Sequence, residues 1–359
     1  MAKIIYAVAG EGFGHSSRSH LIGQRLIDAG HELMFVGSQK SLAYLKQYFP
    51  KQVNEIFGLS FAYDQGYVDP IETLKKNLLK LGHANRLNDD LFKNHFEPFN
   101  PDLVISDFEP FSAWWAFRKK VPFISIDHEH MLTLCKLEHQ GKNWFSRMTA
   151  SVVTESYYVG AIAYIIVNFF RTPLNIDAAI LAPPIIRPSV IELEPTDGDY
   201  ILIYSTTGQA PEQLREILAG FDKQKFYIYG FDQTGVFGNC TFKERSTQGF
   251  LTDLAGCRGV IASAGFSLIS ECMHLKKKML LLPLAGQYEQ IINAHYIEKL
   301  ALGISAEKLD ALAVKRFLNQ LHTPVPSDET IIWPDNQAFF EIFQQALNKL
   351  KDPVDISIS

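Results

Sequence analysis

The chain has 359 residues, which is long for a single hydrophobic core, so two domains are expected. Its hydrophobic content of 47% and charged content of 20% are typical of a soluble globular protein. The formal net charge of −5 argues against a nucleic-acid partner, because such a partner normally requires a basic face.

Cysteine usage and the amino terminus indicate the compartment. The four cysteines, at positions 135, 240, 257 and 272, lack the spacing of a metal site and are expected to be reduced. The chain enters a strand pattern directly, with no charged and then apolar leader. We therefore expect a cytoplasmic protein that holds no metal or cofactor.

Apolar runs alternate with helical patterns along the first half of the chain, which favours a largely parallel sheet. The expected strands cover residues 3–9, 32–36, 103–106, 122–126 and 163–169. A proline-rich stretch at residues 182–188 breaks this rhythm and predicts the end of a first domain. The pattern restarts at residues 200–204, with further strands expected at 259–262 and 279–284 and a final amphipathic helix at 336–351.

A glycine-rich loop follows the first expected strand. Residues 10–14 contain three glycines, and His15 stands where the loop turns into a helix that would end at Gly30. Alternate glycines after a strand also occur in dinucleotide sites, but the spacing here is not G-x-G-x-x-G. A lone histidine is more often structural, yet at the carboxyl edge of a sheet His15 is a candidate for chemistry.

Acidic residues and histidines follow two other expected strands. Asp107 and Glu109 follow one of them, and Asp127 opens an Asp-His-Glu-His run after the next. Open α/β sheets bind ligands at this edge, which makes Asp107 and Asp127 candidate catalytic or acceptor-site residues. A metal site formed by Asp127, His128 and His130 is less favoured, because alternate residues beyond a strand point in opposite directions unless a loop redirects them.

Residues 249–303 carry the most informative pattern, in which a strand, a small-residue turn, a helix, a strand and a polar loop succeed one another. Unpaired backbone N–H groups at the start of the helix, beside Gly265, attract phosphate. Glu271 follows at roughly 9 Å along the helix axis, which suits a carboxylate that accepts both hydroxyls of a ribose. The simpler alternative is a helix packed on a sheet with a solvated glutamate.

A polar cluster follows the second strand of that stretch, and its side chains suit a sugar. The amides of Gln290 and Asn293 offer both donors and acceptors to sugar hydroxyls. In combination with the small-residue turn, this cluster favours a nucleotide-sugar site over simple packing.

This stretch resembles the donor-binding half of inverting GT-B glycosyltransferases, and its pattern is most similar to the GlcNAc transferases that form lipid II in peptidoglycan synthesis. In those enzymes a small-residue turn takes the diphosphate, a glutamate in the next helix takes the ribose, and a glutamine-containing loop before Asn-Ala takes the sugar. The matching positions are residues 263–265, Glu271, and Glu289, Gln290 and Asn293. The family often has Asp-Gln or Gln-Gln where this chain has Glu289-Gln290, so the identity of the sugar stays open.

The first loop carries a second match to the same family. Residues 9–15 agree position by position with an Ala-Gly-x-x-x-Gly-His run in the acceptor domain of the lipid II-forming enzymes. The resemblance therefore implies that His15 accepts a proton from the acceptor hydroxyl, with Asp107 and Asp127 as reserve candidates.

The resemblance implies two Rossmann-like domains that face a cleft, the GT-B architecture. Residues 1–185 would bind the acceptor, residues 186–335 would bind the nucleotide sugar, and a helix in residues 336–359 would return to the first domain, as it often does in GT-B proteins. The expected donor-binding residues are Gly14, Ser205, Thr206, Gly208, Ser263, Ala264, Gly265, Glu271, Gln287, Glu289, Gln290 and Asn293.

The implied reaction transfers a sugar from a nucleotide sugar, with UDP favoured as the nucleotide, to a hydroxyl acceptor. It would invert the anomeric carbon and need no metal. Two other functions fit the same site: a nucleotide-sugar 2-epimerase, which would change its substrate without an acceptor, and a non-catalytic sensor, which would bind the donor without transfer or hydrolysis.

Membrane contact is the remaining question that the sequence raises. Residues 157–170 form an apolar run interrupted by Asn168, shorter than the roughly 20 residues of a spanning helix, so a buried strand is expected there. A helix expected from about residue 143 could instead contact a bilayer surface and a lipid-linked acceptor. Its candidate contact residues are Trp144, Phe145, Arg147 and Met148.

Two further polar stretches are harder to place from their sequence. The lysines at residues 276–278 are expected to form a solvated turn between a helix and a strand. Gln65, Tyr67 and Asp69 lie in a loop-like region that could cover the acceptor.

Overall fold

The computed structural model describes residues 1–10, 12–58, 63–64, 67–68, 81–138, 141–157, 160–205 and 210–351. Two seven-stranded sheets, one built from each half of the chain, form the framework of two α/β domains. The expected fold class is therefore confirmed. Gln65 and Asp69 fall outside the described residues, and Tyr67 opens a short strand that pairs with residues 63–64.

The first sheet has the strand order β3-β2-β1-β6-β7-β8-β9, and every neighbouring pair is parallel. A two-stranded antiparallel ribbon, β4-β5, stands apart from it. The strands of this half are β1 Lys3–Val8, β2 Glu32–Gly37, β3 Val53–Glu55, β4 Tyr63–Asp64, β5 Tyr67–Val68, β6 Leu103–Asp107, β7 Phe123–Asp127, β8 Ala163–Val167 and β9 Ala179–Ala182.

The second sheet has the order β12-β13-β11-β10-β14-β15-β16 and is parallel except for the edge strand β12. Its strands are β10 Tyr200–Tyr204, β11 Lys225–Tyr229, β12 Gly235–Phe237, β13 Cys240–Phe242, β14 Gly259–Ala262, β15 Lys278–Leu281 and β16 Gly303–Ser305.

Helices connect most of the parallel strands, although β8 leads to β9, and β11 to β13, without one. Those of the first half are α1 Phe13–Asp28, α2 Gln39–Tyr48, α3 Leu81–Leu91, α4 Glu97–Phe99, α5 Pro110–Lys119, α6 Met131–Leu134 and α7 Trp144–Tyr157, with a π-helical turn at Phe92–Phe96. Those of the second half are α8 Pro188–Ile191, α9 Pro211–Ala219, α10 Thr247–Gly256, α11 Phe266–His274, α12 Tyr288–Lys299, α13 Ala311–Gln320 and α14 Asn336–Asn348. No helix within the described ranges is long and apolar enough to cross a membrane.

The carboxyl ends of the central strands mark where a ligand can enter. In the first sheet β1 lies between β2 and β6, and in the second β10 lies between β11 and β14. Consecutive connections run in opposite directions at these two points, so the loops diverge and leave a crevice. The loops after β1 and β6, and those after β10 and β14, carry the residues expected to do chemistry.

Helix α14 packs on the first domain. Phe339 and Phe343 of α14 are buried in the same apolar cluster as Ile4 and Val8 of β1. Asn336 at its start donates to the carbonyl of Ile186 and accepts from its N–H. The chain thus returns to the first domain after the second sheet. The exact limits of the two domains stay a prediction.

Apolar and polar contacts join the two domains. The rings of Phe170 and Tyr296 stack with centroids 3.6 Å apart. On the surface, Glu138 of the first domain pairs with His295 and Lys299 of α12. Gly14 faces Ser267 so closely that a side chain at Gly14 would collide with the serine hydroxyl. The first loop therefore touches the start of α11.

The lysine run does not form the expected solvated turn. Lys277 and Lys278 are buried, and their Nζ atoms donate to the carbonyls of Thr196 (2.6 Å) and Ala301 (2.7 Å), respectively. Lys276 lies over the ring of Trp333. Backbone carbonyls from distant segments satisfy the two buried ammonium groups, and a local charge pattern cannot show this.

Candidate active site

His15 lies in the first turn of α1, directly above the ends of β1 and β6. Its Nδ1 is 2.6 Å from Oδ1 of Asp107, the last residue of β6. Its ring stacks on Phe108, with the centroids 6.2 Å apart. Since Nδ1 donates to Asp107, Nε2 is the ring nitrogen left for a second partner.

Asp107 is fully buried and is held by α1 as well. Arg18, one turn after His15, donates to Oδ2 through Nε (2.8 Å) and to Oδ1 through Nη2 (2.6 Å). Ser19 adds a third donor at 3.2 Å. The guanidinium offsets the buried carboxylate charge, so Asp107 can hold His15 in one orientation.

Glu129 places a second carboxylate on His15. Its Oε1 is 3.3 Å from Nε2 of the imidazole. Burial alone would lower the pKa of His15, but the charges of Glu129 and Asp107 and the hydrogen bonds to both raise it to about 10. Burial alone would raise the pKa of Glu129, but His15 lowers it to about 2. In this state His15 and Glu129 form an ion pair.

Asp127 belongs to a separate cluster. It accepts hydrogen bonds from the Ser125 hydroxyl (2.8 Å) and from the backbone N–H of His130 (2.8 Å), and its Oδ2 is 2.6 Å from Nδ1 of His130. Glu109 caps α5 by accepting from two backbone N–H groups. These contacts favour a structural role for both carboxylates.

The small-residue turn after β14 leads directly into α11. Gly265 precedes the helix and provides no capping side chain, and the space where its Cβ would lie is open. Ser263 lines a small cavity together with Ser205, which follows β10. Thr206 and Gly208 lie outside the described residues. The turn thus has the open helix N-terminus that an anion needs.

Glu271 is buried in the second turn of α11. Arg187, from the proline-rich connection between the domains, donates to its Oε1 at 2.8 Å. Burial raises the pKa of Glu271, and the arginine opposes the rise. The carboxylate is thus on the same helix as the phosphate-attracting turn.

The sugar-loop amides mostly satisfy one another. Gln290 donates to the side chain of Gln287 (2.5 Å) and accepts from the backbone N–H of Leu284 (3.1 Å). Asn293 is fully buried and donates to Glu289 at 3.0 Å. Of the four predicted side chains, Glu289 is the one that carries a titratable group.

Glu289 connects the two halves of the site electrostatically. Burial and then the charge of Glu129 raise the pKa of Glu289 to about 8, while His15 opposes the rise. The carboxylate that was predicted to contact the sugar therefore lies within electrostatic range of the His15–Glu129 pair in the other domain.

Metal ligands are not grouped in the part of the chain that the structure describes, where no set of three or more His, Cys, Asp or Glu side chains could hold an ion. Asp197 and Asp199, an Asp-x-Asp pair, precede β10 and so lie at the opposite edge of the sheet from the site. Asp199 is exposed and pairs with Lys225.

Sequence reasoning missed three residues that shape this site. Arg18 had a local signal, because it lies one helical turn after His15. Glu129 stood in the Asp-His-Glu-His run but was not singled out, and Arg187 stood in a stretch that was read only as a domain boundary. Their partners are distant in sequence: Arg18 and Asp107, for example, are 89 residues apart.

The family assignment comes from the sequence as a whole. Residues 2–322 match the family described as glycosyl transferase family 1. The chain belongs to this family. It is a glycosyltransferase, and the His15 and α11 regions both lie within the matching segment. None of the curated proteins matches the chain significantly in sequence.

Solved glycosyltransferase structures share the fold of this family member. The kitacinnamycin glycosyltransferase has a TM-score of 0.62 and 14% identity, covering 98% of this chain and 95% of its own. MurG of Acinetobacter baumannii has a TM-score of 0.59 and 11% identity, with 97% and 100% covered. UGT89C1 of Arabidopsis thaliana, complexed with UDP, has a TM-score of 0.59 and 14% identity, with 98% and 96% covered. At these identities the likeness shows the GT-B fold.

Replacing Glu129 with Gln should lower the pKa of His15 by at least about one unit, because an opposite charge at hydrogen-bond distance contributes a shift of this size. NMR titration of the labelled imidazole measures it. Glu138→Gln, at an exposed carboxylate that pairs with His295 and Lys299, is the matched control and should leave the His15 pKa unchanged. A His15 pKa that stays near 10 in Glu129→Gln would contradict the ion pair.

Proposed function

We propose that this glycosyltransferase moves a sugar from a UDP-linked donor in the second domain to an acceptor hydroxyl held by the first. The observation that carries the proposal is that Asp107 orients His15 at the domain boundary, where the neighbouring Gly14 lies against Ser267 of α11 and His128 is 2.9 Å from Asn293 of the sugar loop. One domain offers a base, and the other offers an anion site followed by a carboxylate for the sugar.

The reaction is a direct displacement with inversion. The acceptor oxygen bonds to the anomeric carbon while the bond from that carbon to the diphosphate oxygen breaks. The acceptor proton moves to Nε2 of His15, and the bonding electron pair leaves with the nucleoside diphosphate. Asp107 keeps the imidazole oriented and stabilises the imidazolium that forms.

Leaving-group charge is stabilised by the protein's own dipoles. Backbone N–H groups at the start of α11, beside Gly265, point towards the diphosphate, and the helix dipole favours the charge that develops there. Ser205 and Ser263 border the same edge. With these donors in place, the proposed reaction runs without a metal.

His15 becomes a base when the acceptor arrives. In the structure Glu129 occupies Nε2 and keeps the imidazole protonated near neutral pH. When an acceptor hydroxyl takes the place of Glu129, only the carboxylate of Asp107 still contacts the imidazole. The pKa of His15 therefore falls towards its usual range. The imidazolium then releases its proton to water and becomes the base, and after transfer the newly protonated His15 pairs again with Glu129 as the product leaves.

UDP is the nucleotide that we propose, from the resemblance of the donor segment and from UDP in the UGT89C1 structure. The competing functions make different products. A 2-epimerase would convert a UDP-sugar without any acceptor, and a sensor would bind it without transfer or slow hydrolysis. The oriented His15 favours transfer, since it supplies the base that displacement needs.

A lipid-linked acceptor and peripheral membrane contact form part of the proposal. Exposed apolar side chains at Trp114 and Phe117 of α5 and Met148 of α7 accompany exposed Arg118 and Arg147. The side chains of residues 144 and 145, also expected to contact a bilayer, lie outside the described set. Apolar side chains among basic ones suit an anionic membrane surface.

Vesicle sedimentation tests this contact. Vesicles that contain phosphatidylglycerol should pellet the protein, and Trp114→Ser with Phe117→Ser should release it, because the apolar anchor is lost. Vesicles of phosphatidylcholine alone are the control for the charge contribution. Protein that stays in the supernatant with both lipids would contradict membrane contact.

Replacing His15 with Ala should reduce turnover about 10²- to 10⁴-fold while leaving the dissociation constant of UDP unchanged, because a general base acts on the chemical step. UDP release on an acceptor screen and calorimetric titration measure the two quantities. Glu271→Ala is the matched comparison: it should raise the dissociation constant of UDP about tenfold or more, since the ribose hydroxyls lose a charged acceptor. Unchanged turnover in His15→Ala would remove His15 from the mechanism.

A further inference from the structure

Asn293 was predicted to contact the sugar, but its amide is already occupied. The residue is completely buried. Its Nδ2 donates to the carbonyl of Ala264 (3.1 Å) and to Oε1 of Glu289 (3.0 Å). Its Oδ1 lies 2.9 Å from Nε2 of His128. Every polar atom of the Asn293 side chain therefore has a protein partner.

The surrounding groups fix the direction of this amide. The Ala264 carbonyl and the Glu289 carboxylate accept hydrogen bonds, so the nitrogen of Asn293 must face them. The amide oxygen consequently faces His128, which donates from Nε2. A reversed amide would set its oxygen against two acceptors and leave both unpaired.

His128 reaches this amide from the other domain. It directly follows β7 and is 2% exposed. Its Nδ1 is 2.8 Å from the carbonyl of Val167 at the end of β8. Its ring stacks on Phe266, the first residue of α11, with centroids 3.9 Å apart. The ring is thus held by the first sheet on one side and by the second domain on the other.

The charged groups around His128 come from both domains. Glu129 and Arg18 act on it from the first domain, and Oε1 of Glu289 is 3.9 Å from Nε2. Both ring nitrogens face oxygen atoms, so the protonated ring can donate to Val167 and Asn293 together. Burial lowers the pKa of His128, and the charge of Glu129 opposes this.

We propose that His128 is a positioning residue for the donor sugar, acting through Asn293 on Glu289. The side chain of Asn293 hydrogen-bonds to three parts of the site: His128 of the first domain, the carbonyl of Ala264 in the turn before α11, and the Glu289 carboxylate. We call this set of contacts the relay. Sugar recognition is then complete only when the domains are closed. This inference rests on the proposed function, because it assigns the sugar to Glu289.

The test separates sugar binding from nucleotide binding. His128→Phe keeps an aromatic ring to stack on Phe266 but removes the donor to Asn293, whereas His128→Gln keeps an N–H donor. Calorimetry gives the dissociation constants of UDP and of UDP-glucose, UDP-galactose and UDP-GlcNAc. We take the UDP-sugar that the native protein binds best. The dissociation constant of this UDP-sugar, divided by that of UDP, should rise about tenfold in His128→Phe.

In the same experiment, the dissociation constant of UDP itself should stay within about twofold, and His128→Gln should restore the ratio to within about threefold of the native value. A purely structural role would weaken UDP and UDP-sugar equally. Equal weakening, or no change in the ratio, would overturn the proposal.

A second variant keeps the test valid if His128→Phe does not fold. Asn293→Ala should raise the same ratio of dissociation constants. The variant that combines Asn293→Ala with a His128 substitution that folds should raise the ratio no more than either single substitution does, because both break one relay. Additive effects on the ratio would overturn the relay. If the native protein binds neither UDP nor any UDP-sugar, the proposed function fails; if it binds them and only the ratio is unmoved, this inference alone fails.

Discussion

Parallel strands end on the same edge of their sheet, and this constraint brings together the main candidate residues that the structure describes. His15 follows β1 and Asp107 ends β6, while Ser263 follows β14. Because neighbouring loops diverge at β1 and at β10, each sheet opens a crevice at its carboxyl edge. The contact of Gly14 with the start of α11 joins the two crevices into one cleft. The base and the donor turn meet because of this arrangement.

Buried charge in the cleft is balanced pair by pair. Asp107 has Arg18, Glu129 has His15, and Glu271 has Arg187. Each pairing offsets the large cost of removing a carboxylate from water. Glu289 is held instead by the amide of Asn293; burial and the charge of Glu129 raise the pKa of Glu289, and the hydrogen bond from Asn293 opposes the rise. An acceptor hydroxyl that replaces Glu129 on His15 therefore takes from Glu129 the cation that balances it, which favours return of the ion pair when the product leaves.

Local patterns predicted the framework and part of the site. Alternating apolar runs and helical patterns predicted five strands of the first sheet and three of the second, and the glycine loop located His15, because these signals lie within a few residues. The partners of His15 and Asn293 could not be predicted in the same way. His128 and Asn293 are 165 residues apart, and the contact exists only after the domains meet. Likewise, the burial of Lys277 and Lys278 depends on carbonyls of distant segments.

A crystal structure with bound UDP shows most directly whether the donor lies in the second domain opposite His15. We expect the diphosphate at the start of α11 beside Gly265, the ribose hydroxyls on Glu271, and the His15–Asp107 contact intact across the cleft. A nucleotide bound instead on the glycine loop at residues 10–14, with α11 unoccupied, would contradict this placement of the donor.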